Sequence, residues 1–195
     1  MVRVLVLSPY GDKLLPVFGG EEEVMFRTHD ALTHILWLKP DWVVMYGYRK
    51  IIPPGTIASC KNPIINIHIG YLPWNRGASP NLWSWYEGTP SGVTIHEVDE
   101  GIDTGRILAR HRLYNTNERH TLRSFYEGLH HLATDLFAAN WRRIRNGESE
   151  PYAQEEGGSY HTKAQTEELM KQFPLGWDTP IADVIEAGKK SREEK

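Results

Sequence analysis

Asp41-Trp-Val-Val-Met-Tyr46 and, after a break at Pro53-Pro54-Gly55, Pro63-Ile-Ile-Asn-Ile67 are the two stretches on which the fold turns. Both are short, rich in β-branched and aromatic residues, and apolar without alternation. That is the pattern of a strand covered on both faces. Val2 to Leu7 has the same character and ends in the turn Ser8-Pro9-Tyr10-Gly11, while Glu23 to Arg27 reads as a second, shorter strand. Between them and Asp41, Thr28 can cap a helix with Ala31, Leu32, Ile35 and Leu36 on one face, stopped at Lys39-Pro40. A short helix is expected to end near Ser59. Strands alternating with helices predict an α/β protein with a mostly parallel, Rossmann-like sheet and flanking helices. Only about 40 residues separate the first strand from Val43-Val44. A full nucleotide-binding half needs more strand–helix units than that, so the fold is expected to be trimmed at its N-terminal side.

Downstream the character changes. Tyr71 to Pro80 holds Trp74, Asn75 and Arg76 between prolines and reads as an ordered loop. A helix over Asn81 to Glu87 comes next, then a strand over Ser91 to Val98. The turn Glu100-Gly-Ile-Asp-Thr-Gly105 leads into another strand over Arg106 to Leu113. From Thr121 to Arg145, Leu122, Phe125, Tyr126, Leu129, Leu132, Leu136 and Phe137 recur at helical spacing, and Asn146-Gly147 ends the helix. This pattern predicts one domain over residues 1–150. Residues 151–195 form a polar extension with a helix near Gln165 to Gln172 and a frayed end over Lys189 to Lys195.

The chain has 195 residues, 40% of them hydrophobic and 24% charged, and a net charge of −3. No bulk attraction to nucleic acid or to an anionic membrane is expected, and an anionic small substrate needs a local basic patch. Cys60 is the single cysteine, which rules out a disulfide framework and suits a reducing compartment. The apolar N-terminal run is too short for a signal peptide or a membrane span, so a cytoplasmic protein is expected.

Asn66 and His68 alternate at the end of a strand, so both side chains can enter one cleft at the carboxyl end of the sheet. An asparagine amide can donate to a developing oxyanion, and a histidine can move a proton near neutral pH. Asp103, in its glycine-flanked turn, can orient the imidazole and favour its charged form. On residue types alone an Asn-x-His on a strand is usually a hydrogen-bonded structural pair, and Asp-Thr-Gly usually a turn. Their order, with a rigid loop between them, strengthens the catalytic reading. Other candidates are weaker. His29 and His34 are badly spaced for ligands on one helix face, and His130-His131 split between core edge and solvent. No zinc-type Cys/His cluster, Walker pattern or dinucleotide fingerprint is present. Of the tryptophans, Trp74 alone is expected to line a pocket; Trp83, Trp85 and Trp141 read as core or interface anchors.

The segments Ile65-Asn-Ile-His-Ile-Gly-Tyr-Leu-Pro-Trp-Asn-Arg-Gly77, Ser79-Pro-Asn-Leu-Trp83, Gly92-Val-Thr-Ile-His96 and Asp99-Glu-Gly-Ile-Asp-Thr-Gly105 resemble the folate-dependent formyltransferase family. The resemblance runs from about Val43 to about Leu108. It implies that Asn66, His68 and Asp103 are the catalytic residues and N10-formyltetrahydrofolate the donor, with no metal. It also implies that Tyr48, Arg49, Lys50, Ile51 and Ile52 line one wall of the folate site, and Val98, Asp99 and Asp103 the other. The Asn75-Arg-Gly77 loop and the Ser79-to-Trp83 segment are most similar to the enzymes that formylate amino sugars on dTDP. This implies acceptor contacts from Trp74, Asn75, Arg76 and Ser79, Arg76 being the candidate for the phosphates. Small-molecule partners are implied, without nucleic acid or membrane, and a homodimer is compatible with the sugar-type members. Methionyl-tRNA formylation, glycinamide ribonucleotide formylation and a non-catalytic folate-binding module stand as alternatives. One departure is Gly70, where the family often has serine.

Overall fold

The computed structural model describes residues 1–28, 31–114 and 120–194. In chain order the elements are β1 (Val2–Leu7), α1 (Gly11–Leu14), β2 (Glu22–Arg27), α2 (Ala31–Leu38), β3 (Trp42–Tyr46), α3 (Pro54–Ser59), β4 (Ile65–His68), β5 (Arg76–Gly77), α4 (Pro80–Glu87), β6 (Gly92–Glu97), β7 (Ile107–Arg112), α5 (Leu122–Arg145), β8 (Tyr160–His161), α6 (Lys163–Met170) and α7 (Ile181–Glu193). His29 lies outside the described residues, as do the side chains of Ala31 and Leu32, and Lys195. The expected cap at Thr28 adjoins that gap.

The main sheet has six strands in the order β2-β1-β3-β4-β6-β7. β1 pairs in parallel with both β2 and β3, and β3 pairs in parallel with β4. The α/β, mostly parallel reading is thus realised, with a single strand–helix unit, β2 and α2, between β1 and β3. The chain leaves β1 on one side for β2 and returns on the other for β3. This reversal is a topological switch point, the place where open α/β sheets bind ligands beyond the strands' carboxyl ends. By contact density the chain divides into two compact units. The first comprises Met1–His68, Ile95–Ala109 and Thr134–Ala153, and the second Ile69–Thr94, Arg110–Ala133 and Gln154–Lys195.

In the first unit, alternation sends the strand residues to two apolar layers. Leu5, Leu7, Val43, Met45 and Ile64 pack with Ile35 and Ile52. On the other face an aromatic layer forms, with Phe18 against Phe137 and Trp141, and Trp42 against Trp141, at centroid separations of 5.6–5.9 Å. Both faces are covered, which is why β1 from Val4 onward and β3 read as unbroken apolar runs. Trp141 donates through Nε1 to Glu22 Oε1 at 3.2 Å, and the Arg145 guanidinium pairs with Glu22 and Glu21. Despite burial, which works the other way, the two carboxylates hold the Arg145 pKa above its ordinary value. The Glu97 N–H donates to Arg106 O at 2.9 Å, closing β6 and β7 into the expected hairpin.

In the second unit, Leu82, Trp83, Leu122, Leu169, Phe173 and Val184 form the core. Trp83 donates from Nε1 to Thr166 Oγ1 at 3.0 Å and stacks on His161 at 3.8 Å, the two rings nearly parallel. Residues 154–195 are therefore built into a folded unit. The expected frayed end is instead helical through Glu193. Its cause is packing that the polar composition hides. A Cβ on Gly188 would lie 1.8 Å from Tyr86 O, so α7 closes onto α4 at that point, and the Arg192 guanidinium donates to the same carbonyl. Thr162 and Gln165 cap α6 reciprocally, which starts it two residues earlier than expected. The two-residue strands β5 and β8 pair in parallel and carry too few residues for a periodicity signal. Among the described residues no helix is long and apolar enough to cross a membrane.

Candidate active site

β4 is level with β3, Met45 facing Asn66 across the ladder. Paired residues on neighbouring strands share a face. Asn66 and His68 therefore point to the side on which Met45 packs with Ile52 and Ile64. Tyr48 and Val98 pack against that same cluster. Asp103 reaches the site from the turn between β6 and β7. Its backbone is left-handed, φ +54°, which is costly for a non-glycine residue. The turn is held in that shape by Asp99, whose Oδ1 accepts the Gly101 N–H at 3.1 Å and the Thr104 hydroxyl at 2.6 Å.

The three expected residues meet, and a fourth joins them. Asn66 Nδ2 donates to Asp103 Oδ1 at 3.2 Å and lies 3.2 Å from His96 Nε2. His96 Nε2 is 3.3 Å from the same Asp103 oxygen, and His68 Nδ1 is 3.4 Å from Asp103 Oδ2. Both imidazoles are buried, His68 at 7% exposure and His96 at 2%. One carboxylate thus faces two imidazoles and an amide in a largely desolvated place, where each polar contact is worth more than in water.

The tautomers follow from the partners. His96 Nδ1 sits 2.7 Å from Glu97 O, and a carbonyl only accepts, so Nδ1 carries the proton. In the neutral ring Nε2 is then an acceptor, and it can take one Asn66 amide hydrogen while Asp103 Oδ1 takes the other. For His68 the carboxylate beside Nδ1 draws the proton there and leaves the basic lone pair on Nε2. His96 was legible in principle. In Gly92-Val-Thr-Ile-His96, Val93 and Ile95 alternate with Thr94 and His96, so a polar pair occupies one face of a buried strand. Nothing local, however, says that this face meets Asn66.

The expected folate segment comes directly after β3, at the switch point. Gly47 has φ +66°, and a Cβ there would lie 2.6 Å from the Tyr10 ring. Ile52 is buried and Tyr48 and Val98 are half-buried in one apolar wall, whereas Arg49, Lys50 and Ile51 are exposed. Asp99 spends its carboxylate on the turn.

The expected acceptor residues are placed by the second unit. Asn75 is 1% exposed; its Nδ2 donates to Thr89 Oγ1 at 2.8 Å and its Oδ1 accepts from Ser159 Oγ at 3.3 Å. It fastens the loop at φ +59°. Arg76 donates from Nε and Nη2 to Gln154 Oε1 at 3.1 and 2.7 Å. Ser79 is left-handed and caps α4 with its carbonyl, which accepts from the Leu82 and Trp83 N–H groups. Trp74 is half-buried.

Residues 21–140 match the family model described as formyl transferase. The chain belongs to the formyl transferase family. A methionyl-tRNA formyltransferase of Synechococcus sp. (strain JA-3-3Ab) is 31% identical over 156 residues, which are 79% of this chain and 47% of that protein. The chain spans about half the length of the curated relatives it matches. Among solved structures, the formyltransferase PseJ from Anoxybacillus kamchatkensis, in complex with UDP-4,6-dideoxy-4-formamido-L-AltNAc and tetrahydrofolate, is 39% identical. It superposes with a TM-score of 0.87 over 95% of this chain and 99% of its own. The N-formyltransferase from Helicobacter canadensis, in complex with folinic acid and dTDP-3-aminofucose, is 20% identical. Its TM-score is 0.67 over 85% of this chain and 72% of its own, and it shares the fold.

Proposed function

We propose that this protein transfers the formyl group of N10-formyltetrahydrofolate to the amine of a nucleotide-linked amino sugar. The observation that carries the reading is the cluster in which Asp103 joins Asn66, His96 and His68. It contains an oxyanion donor, a proton acceptor and a carboxylate, each within hydrogen-bond reach of a neighbour. The uncharged acceptor amine attacks the formyl carbon, the C=O becomes a tetrahedral oxyanion, and the C–N bond to the folate nitrogen then breaks. His68, in the charged form with a proton on its Nε2 lone pair, and the Asn66 amide stabilise the oxyanion. Both Asn66 hydrogens face acceptors within the chain. As Asp103 takes the proton of the attacking amine, its Oδ1 relaxes its hold on one of them. That hydrogen turns to the oxyanion as the charge develops, and the proton passes to the leaving nitrogen. Tyr48, Ile52 and Val98 form the apolar wall for the folate ring system, with Arg49, Lys50, Ile51 and Asp99 at its rim. Trp74 and Ser79 border the acceptor.

The nucleotide is read as uridine diphosphate or dTDP. The likeness to PseJ over almost its whole length favours a UDP-linked 4-amino-4,6-dideoxy sugar, while the resemblance of the Asn75-to-Trp83 segment favours dTDP. The test is a panel of UDP- and dTDP-linked amino sugars incubated with formyl-folate, with the amide product read by mass spectrometry. A formamido product on either nucleotide supports the reading; transfer to none of them overturns it. Methionyl-tRNA formylation is the second reading, favoured by the curated relatives, and formylated methionyl-tRNA in the same assay would establish it.

A further inference from the structure

The chain is acidic overall, so an anionic acceptor needs a local cation. Arg76, the candidate from sequence, has its guanidinium engaged by Gln154. The second unit holds another. Arg110 and Arg112 are two apart on β7 and so share a face, where both guanidinium groups approach the Tyr71 ring, at 4.5 and 5.9 Å from its centroid. The two differ in how their charge is spent. Arg110 is bound by both oxygens of Glu155, at 2.8 and 2.5 Å, and also donates to Leu72 O. It is a neutralised structural pair. Arg112 is exposed, and among the described residues it has no hydrogen-bonding or ion-pair partner. Its guanidinium lies against the Tyr71 ring and, at 5.1 Å, the ring of Tyr114. Tyr114 is itself 71% exposed, unusual for a large aromatic ring.

A guanidinium steadied by two rings is partly ordered before a ligand arrives. It keeps its N–H donors for a planar or tetrahedral oxyanion, and it is weakly hydrated, so little is lost on contact. An exposed tyrosine beside it offers a stacking surface to a base. Phosphate beside a base is the chemistry of a nucleoside diphosphate. We propose that Arg112, framed by Tyr71 and Tyr114, anchors the diphosphate of the nucleotide-linked acceptor, with its base stacked on Tyr114. This rests on the acceptor class proposed above and names the residues that select it. Arg110 and Glu155 hold the Tyr71 ring in place and make no ligand contact.

The test is calorimetric titration of UDP and of dTDP into the full chain, wild type against Arg112→Met and Tyr114→Ala. Arg123→Met, in an exposed pair with Asp178, is the charge control. Binding of 5-formyltetrahydrofolate reports that each variant is folded. The expected result is a Kd raised about 10- to 100-fold by Arg112→Met, the loss typical of a hydrogen bond to a charged group. Tyr114→Ala should raise it several-fold, with folate binding and the control unchanged. If the wild type binds either nucleotide and Arg112→Met binds it equally well, the anchor is wrong and the acceptor class stands. If the wild type binds neither, both fall. A low-salt tRNA shift abolished by Arg112→Met, without nucleoside diphosphate binding, would overturn the anchor in favour of RNA.

Discussion

Residue types, strand alternation and a family resemblance point to Asn66, His68 and Asp103 as one site, and the folded chain brings Asn66 and His68 each within 3.4 Å of the Asp103 carboxylate. Removing a single oxyanion donor from such a site costs about 3–4 kcal/mol of barrier. Asn66→Ala should therefore lower kcat roughly 100- to 1,000-fold. Folate affinity, read by titration of 5-formyltetrahydrofolate, should change little. A kcat within a factor of a few of wild type would remove Asn66 from the chemistry. His96 acts through its neighbours. Its Nε2 and Asp103 Oδ1 hold the Asn66 amide from two sides. His96→Phe keeps the ring and the burial but loses that acceptor, so kcat should fall about tenfold, less than for Asn66, with KM for folate unmoved. A loss in folate KM alone would make His96 part of the folate wall instead. His96 could not be assigned from sequence because partnership across strands depends on register, which no local pattern carries.

At the scale of elements, two glycines show where a turn is fixed by close approach. A Cβ on Gly105 would lie 1.8 Å from Glu97 O, across the hairpin that presents Asp103. Since a backbone atom cannot yield as a side chain does, Gly105→Ala should open the hairpin. It should destabilise the fold by about 2–3 kcal/mol or more, visible as a lowered Tm, and reduce activity beyond the loss of stability. Gly101→Ala meets only the Thr104 side chain and should be milder. The Arg110–Glu155 pair gives a pH signature. The side-chain bond to Arg110 holds the Glu155 carboxyl below its usual value of 4.5, against the opposing pull of burial. A carboxylate with a depressed folded pKa contributes stability above the unfolded pKa and loses it as pH falls through the folded one. The Tm difference between wild type and Glu155→Gln should thus be present at pH 7, start to shrink as the pH falls to the unfolded value of 4.5, and be lost as it falls through the lower folded pKa. Glu155 is 59% exposed, so solvent screening limits the difference to about 1 kcal/mol. A difference that grows on acidification would refute the pair's role. The strands and long helix were legible to within two residues, because periodicity over five or more residues survives tertiary context. β5, β8 and α7 were not: the first two are too short, and α7 is carried by Gly188 against Tyr86 O, a contact distant in sequence.

For the molecule as a whole, the division of the chain matters more than any one element. Residues 154–195 look like an appendage by composition, yet they supply Leu169, Phe173 and Val184 to the core of the second unit and His161 to the Trp83 stack. Deleting them should leave Leu82, Trp83 and Leu122 without cover, and the shortened chain should fail to give a cooperative melt by circular dichroism. A truncated protein that melts sharply and binds folate would show that the segment is dispensable. By itself the sequence determined the α/β class and the mostly parallel sheet with its flanking helices, and these rest on short-range signals: apolar runs, two-residue alternation and turn chemistry act within a few residues of chain. It pointed to Asn66, His68 and Asp103 as one candidate site only together with the resemblance to the formyltransferase family. Only the tertiary structure decided that His96 completes the cluster, that Asn75 and Arg76 hold the loop in place, and that Gln154 engages Arg76 whereas Arg112 has no hydrogen-bonding or ion-pair partner among the described residues. Whether a polar group is spent inside the chain or kept for a ligand depends on which partner folding brings beside it, and Gln154, Ser159 and Asp103 all come from far along the chain.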